Sequence, residues 1–162
     1  MEKIILSEML NDRGGYTVSF QSEPYIATSN LNNSRILIFF TDEPKININT
    51  VKSMISKMTE LSIIHSILVY KNTITSSALK AIECLENNRI ELFFIKELQY
   101  NITKHRLVPR HEKYCKDDVK KYVDSLPVLL RTDVVCRYYD FKKGDIIEIT
   151  RSNGFKIYRI VK

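Results

Sequence analysis

Asp145-Ile146-Ile147-Glu148-Ile149-Thr150-Arg151 and Phe155-Lys156-Ile157-Tyr158-Arg159-Ile160-Val161, joined by Ser152-Asn153-Gly154, lie at the end of the 162-residue sequence. Two runs rich in β-branched residues around an Asn-Gly pair predict a β-hairpin, because Asn and Gly both tolerate the positive φ of a tight hairpin turn. An isolated hairpin is marginal in water. Two strands also cannot hide Ile147, Ile149, Ile157 and Tyr158 by themselves, so either the preceding segment or a partner chain covers them. That segment, Asp133-Val134-Val135-Cys136-Arg137-Tyr138-Tyr139, reads as a short helix, and Lys142-Lys143-Gly144 reads as the turn into the hairpin. Lys142, Lys143, Arg151, Lys156, Arg159 and Lys162 make the rim cationic.

Upstream, residues 35–95 carry a different pattern. Arg35-Ile36-Leu37-Ile38-Phe39-Phe40 is an apolar run of strand length, which predicts a strand buried on both faces. Ile48, Val51, Met54-Ile55, Met58 and Leu61 then fall at three- and four-residue steps, a helix from about Asn47 to Thr59. Ile63 to Tyr70 is a second buried strand. Thr75 or Ser76 caps a helix striped by Ala78-Leu79, Ile82 and Leu85, closed by Asn87-Asn88. Arg89 to Ile95 is a third strand. Strand, helix, strand, helix, strand implies an α/β layer with parallel pairing, each helix supplying a crossover. Before it, residues 4–11 read as a helix stopped by Gly14-Gly15. Tyr16 to Phe20 and Pro24 to Thr28 read as paired strands.

The fold class expected is α+β overall. Residues 1–99 form an N-terminal α/β layered domain with a mixed sheet, and residues 100–162 form a small α+β domain ending in the hairpin, with short helices also expected at 117–123 and 127–130. Residues 1–97 hold ten Lys and Arg against eleven Asp and Glu, net −1, whereas residues 98–162 hold fifteen against eight, net +7. The basic part favours an acidic partner, nucleic acid or protein. Cys84, Cys115 and Cys136 are odd in number and widely spaced, which argues against a disulfide framework and a four-cysteine zinc site. The sequence lacks an 18-residue apolar run and a signal-peptide pattern, so no membrane span or export is expected. The sequons at Asn32 and Asn101 would matter only in a secreted protein.

Candidate chemistry is sparse. No Gly-rich loop opens either crossover helix, so no phosphate cradle or nucleotide cofactor is expected. His105 and His111, six apart without a third ligand, make a poor zinc site. Asp42 and Glu43 follow a strand and Lys71 follows the next, the beginnings of a metal-dependent nuclease that still needs another carboxylate. Thr75-Ser76-Ser77 at a helix start is suited to a backbone phosphate, or is a plain N-cap. His65 reads as a core or edge residue.

Several gapped stretches resemble one family. Leu126-Pro127-x5-Asp133-x3-Arg137-Tyr138-x5-Gly144-x4-Ile149-x-Arg151-Ser152, closing on Tyr158-Arg159-x-Val161, is similar to the C-terminal domain of a small RNA polymerase subunit that archaea and eukaryotes share. Its eukaryotic form is the fifth-largest subunit common to RNA polymerases I, II and III. His105-x-Leu107-Val108-Pro109-x-His111 resembles the segment leading into that domain. Phe40-Thr41-Asp42-Glu43-Pro44, Val69 to Ala78, and Glu8-Met9-Leu10-x2-Arg13-Gly14 resemble stretches of the eukaryotic N-terminal domain.

The resemblance implies a non-catalytic subunit, in the nucleus or, for a large DNA virus, in cytoplasm or virion. By it, the C-terminal domain docks on the largest polymerase subunit. His105, Pro109 and His111 shape the chain, Ile147 and Tyr158 give apolar contact, Arg137 and Arg159 fix register, and Arg151 belongs to the same docking surface. The N-terminal domain forms part of a jaw in which Thr75, Ser76 and Ser77 lie near downstream duplex DNA. Magnesium and nucleotides would be used only through the host enzyme, with no cofactor, small-molecule substrate or membrane of its own. Ser76, Val134 and Asp140 depart from the family's usual proline, proline and glycine, and Asp140 implies a rebuilt helix end. The competing readings are a nuclease-like enzyme using Asp42, Glu43 and Lys71, and a stand-alone nucleic-acid-binding module.

Overall fold

In the computed structural model, which describes residues 1–115 and 125–162, the chain is α+β and falls into two compact units, Met1–Tyr100 and Asn101–Lys162. The first begins with helix α1 (Glu2–Gly14), ended by Gly15 in the left-handed conformation at φ 62°, its N–H donating to the Asn11 carbonyl. Glycine alone adopts that backbone without steric cost. Strands β1 (Tyr16–Ser19), β2 (Tyr25–Ser29) and β3 (Arg35–Thr41) follow as an antiparallel meander. Helix α2 (Ile48–Glu60) leads to β5 (His65–Tyr70), and helix α3 (Ser76–Glu83) leads to β7 (Arg89–Phe94). The sheet order is β1-β2-β3-β5-β7, parallel from β3 onward.

Period and burial agree. Leu37, Leu68 and Ile90 point one way and pack with Val51, Met54 and Met58 of α2 and Ala78 of α3. The alternate residues Ile38, Ile67 and Glu91 share the opposite face through their register. Helix α1 crosses that face: Lys3 reaches Tyr25 at one end, and Arg13 reaches Glu91 at the other. Arg13 grips Glu91 with two hydrogen bonds of 3.1 and 3.0 Å while only 4% of its side chain is exposed. His65 Nε2 lies 2.6 Å from the same carboxylate, so the histidine read as core or edge belongs to a part-buried polar cluster around Glu91.

Two short strands escaped the sequence reading. β4 (Lys45–Ile46) and β6 (Thr73–Ile74) pair in parallel and tie the loop after β3 to the loop after β5. The Asn72 amide reinforces the tie by donating to the carbonyls of Asp42 and Glu43 at 3.0 and 2.9 Å.

Among the described residues, the second unit is a sheet of order β8-β10-β11-β9 with a short α-helix, Val134–Tyr139, and a single 3-10 turn, Ile102–Lys104. The hairpin is β10 (Ile146–Thr150) with β11 (Lys156–Val161), and Gly154 takes φ 82°. It is not alone: β8 (Arg110–Lys113) adds antiparallel to β10, and β9 (Val128–Leu129) adds parallel to β11. The helix expected over 127–130 is therefore a strand, because Val128 is β-branched and the carbonyls of Pro127 and Leu129 accept from β11 and Lys162. The helix expected over 117–123 lies outside the described residues. Helix α4 (Val134–Tyr139) packs Cys136 against Leu129, Ile147, Ile149 and Val161. Its end is not rebuilt: Asp140 adopts the left-handed cap at φ 56°, ψ 42°, the conformation glycine would supply.

Candidate functional site

The helix start proposed for phosphate contact is built by the tied loops. Thr75, the N-cap of α3, accepts from Ala78 N–H at 3.2 Å, and its backbone N–H donates to the Ile46 carbonyl. Its hydroxyl is also 3.1 Å from that of Ser77. Thr75 is thus used as a cap, which fixes the first turn, while Ser76 and Ser77 stand exposed. The structure brings the three side chains together at one helix end, with Asn47 capping α2 through Asn49 and Thr50 just after the paired strand β4.

Asp42 and Lys71 meet at 4.0 Å, both largely exposed, whereas Glu43 turns to the Thr50 hydroxyl at 2.8 Å. The two carboxylates therefore serve different partners. Among the described residues no group of three or more His, Cys, Asp or Glu is placed to hold a metal ion.

In the second unit the histidines act on local backbone. His105 Nδ1 accepts from Leu107 N–H at 3.2 Å, and His111, on β8 opposite Ile149, has Nδ1 2.8 Å from the Pro109 carbonyl. Pro109 and His111 are half-buried, and His105 is exposed. Asn101 is only 2% exposed: it donates to the Tyr138 hydroxyl and accepts from Thr103, so its sequon is occupied by packing.

Of the docking candidates, Ile147 is corrected by the structure. Its side chain is fully buried among Leu129, Cys136 and Val161, since the domain's own helix and edge strand cover the hairpin. Tyr158 is half-buried. It meets Tyr114 edge-on at 4.9 Å and donates to Glu148 at 3.0 Å. Burial and that hydrogen bond lift its phenol above the ordinary value. Arg159 donates to the Val128 carbonyl at 3.4 Å, bracing β9 from the next strand, and Arg137 is half-buried on α4. Arg151 is exposed at the hairpin tip, where its carbonyl accepts from Gly154.

The cationic rim is less uniform than its composition. Lys156 donates to Glu148 at 2.8 Å, which raises its ammonium pKa, and Lys142 pairs with Asp140. Lys143, Arg151 and Lys162 remain exposed. The sequence reading missed a different feature, the apolar side chains of Val128, Leu130 and Val134, exposed by 40%, 61% and 51% beside β9. Assigning 127–130 to a helix hid them. The signal that could have revealed them was Pro127 preceding a β-branched pair member, a strand-edge pattern.

Residues 100–161, nearly all of the second unit, match the family model of the RNA polymerase Rpb5 C-terminal domain. The chain is 34% identical over 111 residues to a putative DNA-directed RNA polymerase subunit of Invertebrate iridescent virus 6, covering 59% of this chain and 60% of that protein. It is 32% identical over 123 residues to DNA-directed RNA polymerase V subunit 5A of Arabidopsis thaliana, covering 71% and 55%. It is also 31% identical over 139 residues to the RPABC1 subunit of DNA-directed RNA polymerases I, II and III of Caenorhabditis elegans, covering 78% and 66%. The chain thus spans 55% to 66% of the length of these relatives. The chain belongs to the family of the RNA polymerase subunit Rpb5, and its residues 100–161 are the C-terminal domain of that family.

Proposed function

We propose that the chain is a non-catalytic subunit of DNA-dependent RNA polymerase, acting in transcription by docking rather than by chemistry of its own. The carrying observation is that the family match coincides with a compact unit that supplies its own core. A self-sufficient core leaves the unit's exposed features free for a partner. The docking face we assign is the β9 edge with Val128, Leu130 and Val134, braced by Arg159 and flanked by Arg137 and Arg151. A strand at the sheet edge among the described residues, with apolar side chains exposed on and near it, suits apolar contact with a partner, and the arginines fix register. The partner is the largest polymerase subunit, as the family resemblance implies. His105, Pro109 and His111 hold the leading segment in shape.

The first unit then serves as part of the jaw near downstream duplex. Exposed Ser76 and Ser77 at the start of α3, with Thr75 fixing the turn, provide donors for a phosphate without reading sequence. Such contacts are weak and salt-dependent. The subunit uses magnesium and nucleotides only through its host enzyme. It would reside in the nucleus, or in cytoplasm or virion for a large DNA virus.

Purifying the tagged full chain from its native source tests this reading. The expected result is co-purification with large polymerase subunits, lost in Leu130→Asp combined with Val128→Asp. A stable pool carrying no polymerase subunit overturns it. Within the assembled enzyme, Ser77→Asp should weaken protection of downstream DNA while leaving co-purification intact.

A further inference from the structure

Lys3 stands exposed in the first turn of α1, and its ammonium lies inside an enclosure of aromatic rings. Nζ is 4.4 Å from the ring centroid of Tyr25, 5.4 Å from that of Phe20 and 5.8 Å from that of Phe40. The rings stand across one another: Tyr25 meets Phe20 at 5.1 Å and 68°, and Phe40 at 5.8 Å and 71°. Lys3 Nζ donates to the Tyr25 hydroxyl at 2.9 Å, and that hydroxyl donates to Glu23 Oε1 at 2.9 Å. Three rings within about 6 Å of one cation, with a carboxylate at the lip, form a cation–π cage. Its members come from α1, the loop before β2, the start of β2 and the end of β3, so the tertiary fold assembles it.

Glu23 and Phe40 also border a cleft of about 200 Å3 whose other walls include Phe39, Met54, Leu68 and Lys57. The Phe39, Leu68 and Met54 walls of that cleft are on the α2 side of the sheet, whereas the rings of Tyr25 and Phe40 stand on the α1 side, so the cage is a site of its own. The cage chemistry favours a methylated ammonium over a plain one. A lysine ammonium carries three N–H donors, and the rings of Phe20 and Phe40 offer no lone pair to receive them. A quaternary ammonium has no donor to satisfy and presents methyl groups to the ring faces. Lys3 is also separable from the hold on its helix. Leu6, Met9 and Leu10 are fully buried further along α1, and Arg13 clamps Glu91 at its end.

We propose that Phe20, Tyr25, Phe40 and Glu23 form a binding site for a methylated ammonium group, the side chain of a methylated lysine on a partner polypeptide, with Lys3 as the chain's own competing occupant. The site is independent of the docking face and of the helix start assigned above.

Tetramethylammonium chloride, titrated into the full chain against sodium chloride at equal ionic strength, is the first probe, read by the aromatic resonances of Phe20, Tyr25 and Phe40. Lys3→Ala should show saturable shifts with affinity at least about fivefold tighter than the unaltered chain, the gain from removing one competing cation–π contact. Lys3→Gln repeats the measurement should the alanine variant fail to fold. Adding Phe40→Ala to either should abolish the shifts. The absence of saturable shifts in both Lys3 variants, or equal affinity with and without Lys3, overturns the site. A trimethyl-lysine peptide should bind the Lys3 variant more tightly than the free ion does. A peptide that binds no more tightly overturns the polypeptide assignment.

Discussion

Met1–Tyr100 covers its five-stranded sheet with helices on both faces, whereas Asn101–Lys162, among the described residues, lays the six-residue helix α4 on one face of a four-stranded sheet. In the first unit burial is distributed: Ile67, Leu68 and Val69 are consecutive residues of β5, all nearly inaccessible, pointing alternately to α1 and to α2 and α3. In the second, the helix side of the hairpin depends on Ile147 and Ile149, with Glu148 between them facing the other way toward Lys156 and Tyr158. A small unit with a concentrated core has little reserve, because it buries a smaller share of its surface than a larger domain. The basic second unit is therefore also the one most sensitive to a single internal change.

The sharpest test of that contrast is Ile147→Ala. Truncating a fully buried isoleucine should cost about 4 kcal/mol and unfold the second unit while the first stays folded, read by urea denaturation with probes in each unit. A smaller effect is expected from Glu91→Ala in the first unit, which removes both hydrogen bonds Arg13 makes to that carboxylate at a cost of about 3 kcal/mol. Should that change melt the first unit as completely as Ile147→Ala melts the second, the distributed-core account fails.

Alkaline titration separates the units by charge. Burial, and secondarily Asp133 and Asp145, push the Cys136 thiol from its ordinary 9.0 up to about 11. The folded chain therefore holds this proton where the unfolded chain releases it. The contribution is present below pH 9 and is lost as pH rises toward about 11, up to about 3 kcal/mol. Cys136→Ala should flatten this decline in denaturation curves taken across that window. The smallest effect belongs to Asp140→Gly. Relieving a left-handed aspartate should stabilise α4 by about 0.5 to 1 kcal/mol, offset in part by losing the exposed pair with Lys142. No gain in melting temperature would mean that the aspartate backbone is unstrained there.

What was legible in the residues follows the same division. The runs 35–40, 63–70 and 89–95 and the helical stripe through Val51, Met54 and Met58 declare themselves by period, since a parallel layer is made of elements in chain order. Asn47 and Thr75 were legible as helix starts because capping is local. The hairpin was legible from Asn153-Gly154. Strands β8 and β9 were not, because Arg110-His111-Glu112-Lys113 has no apolar alternation and Val128-Leu129 is too short to show one. Their pairing with β10 and β11 is set by the tertiary fold. That blindness is why Ile147, which the domain's own helix and edge strand bury, was offered to a partner. The aromatic enclosure of Lys3 was equally hidden, its rings lying at positions 20, 25 and 40 with no shared motif.

The four-stranded order β8-β10-β11-β9 also sets a sequence of events in time. The β10–β11 ladder closes over a five-residue connection, 151–155, and can form within microseconds. Val128 and Arg110, by contrast, must find partners more than thirty residues away, Ile160 and Thr150, at a larger loop-closure cost. The central ladder is therefore expected to act as the folding nucleus and the outer strands to add late, so that substitutions in β10 and β11 slow refolding while those in β8 and β9 chiefly speed unfolding.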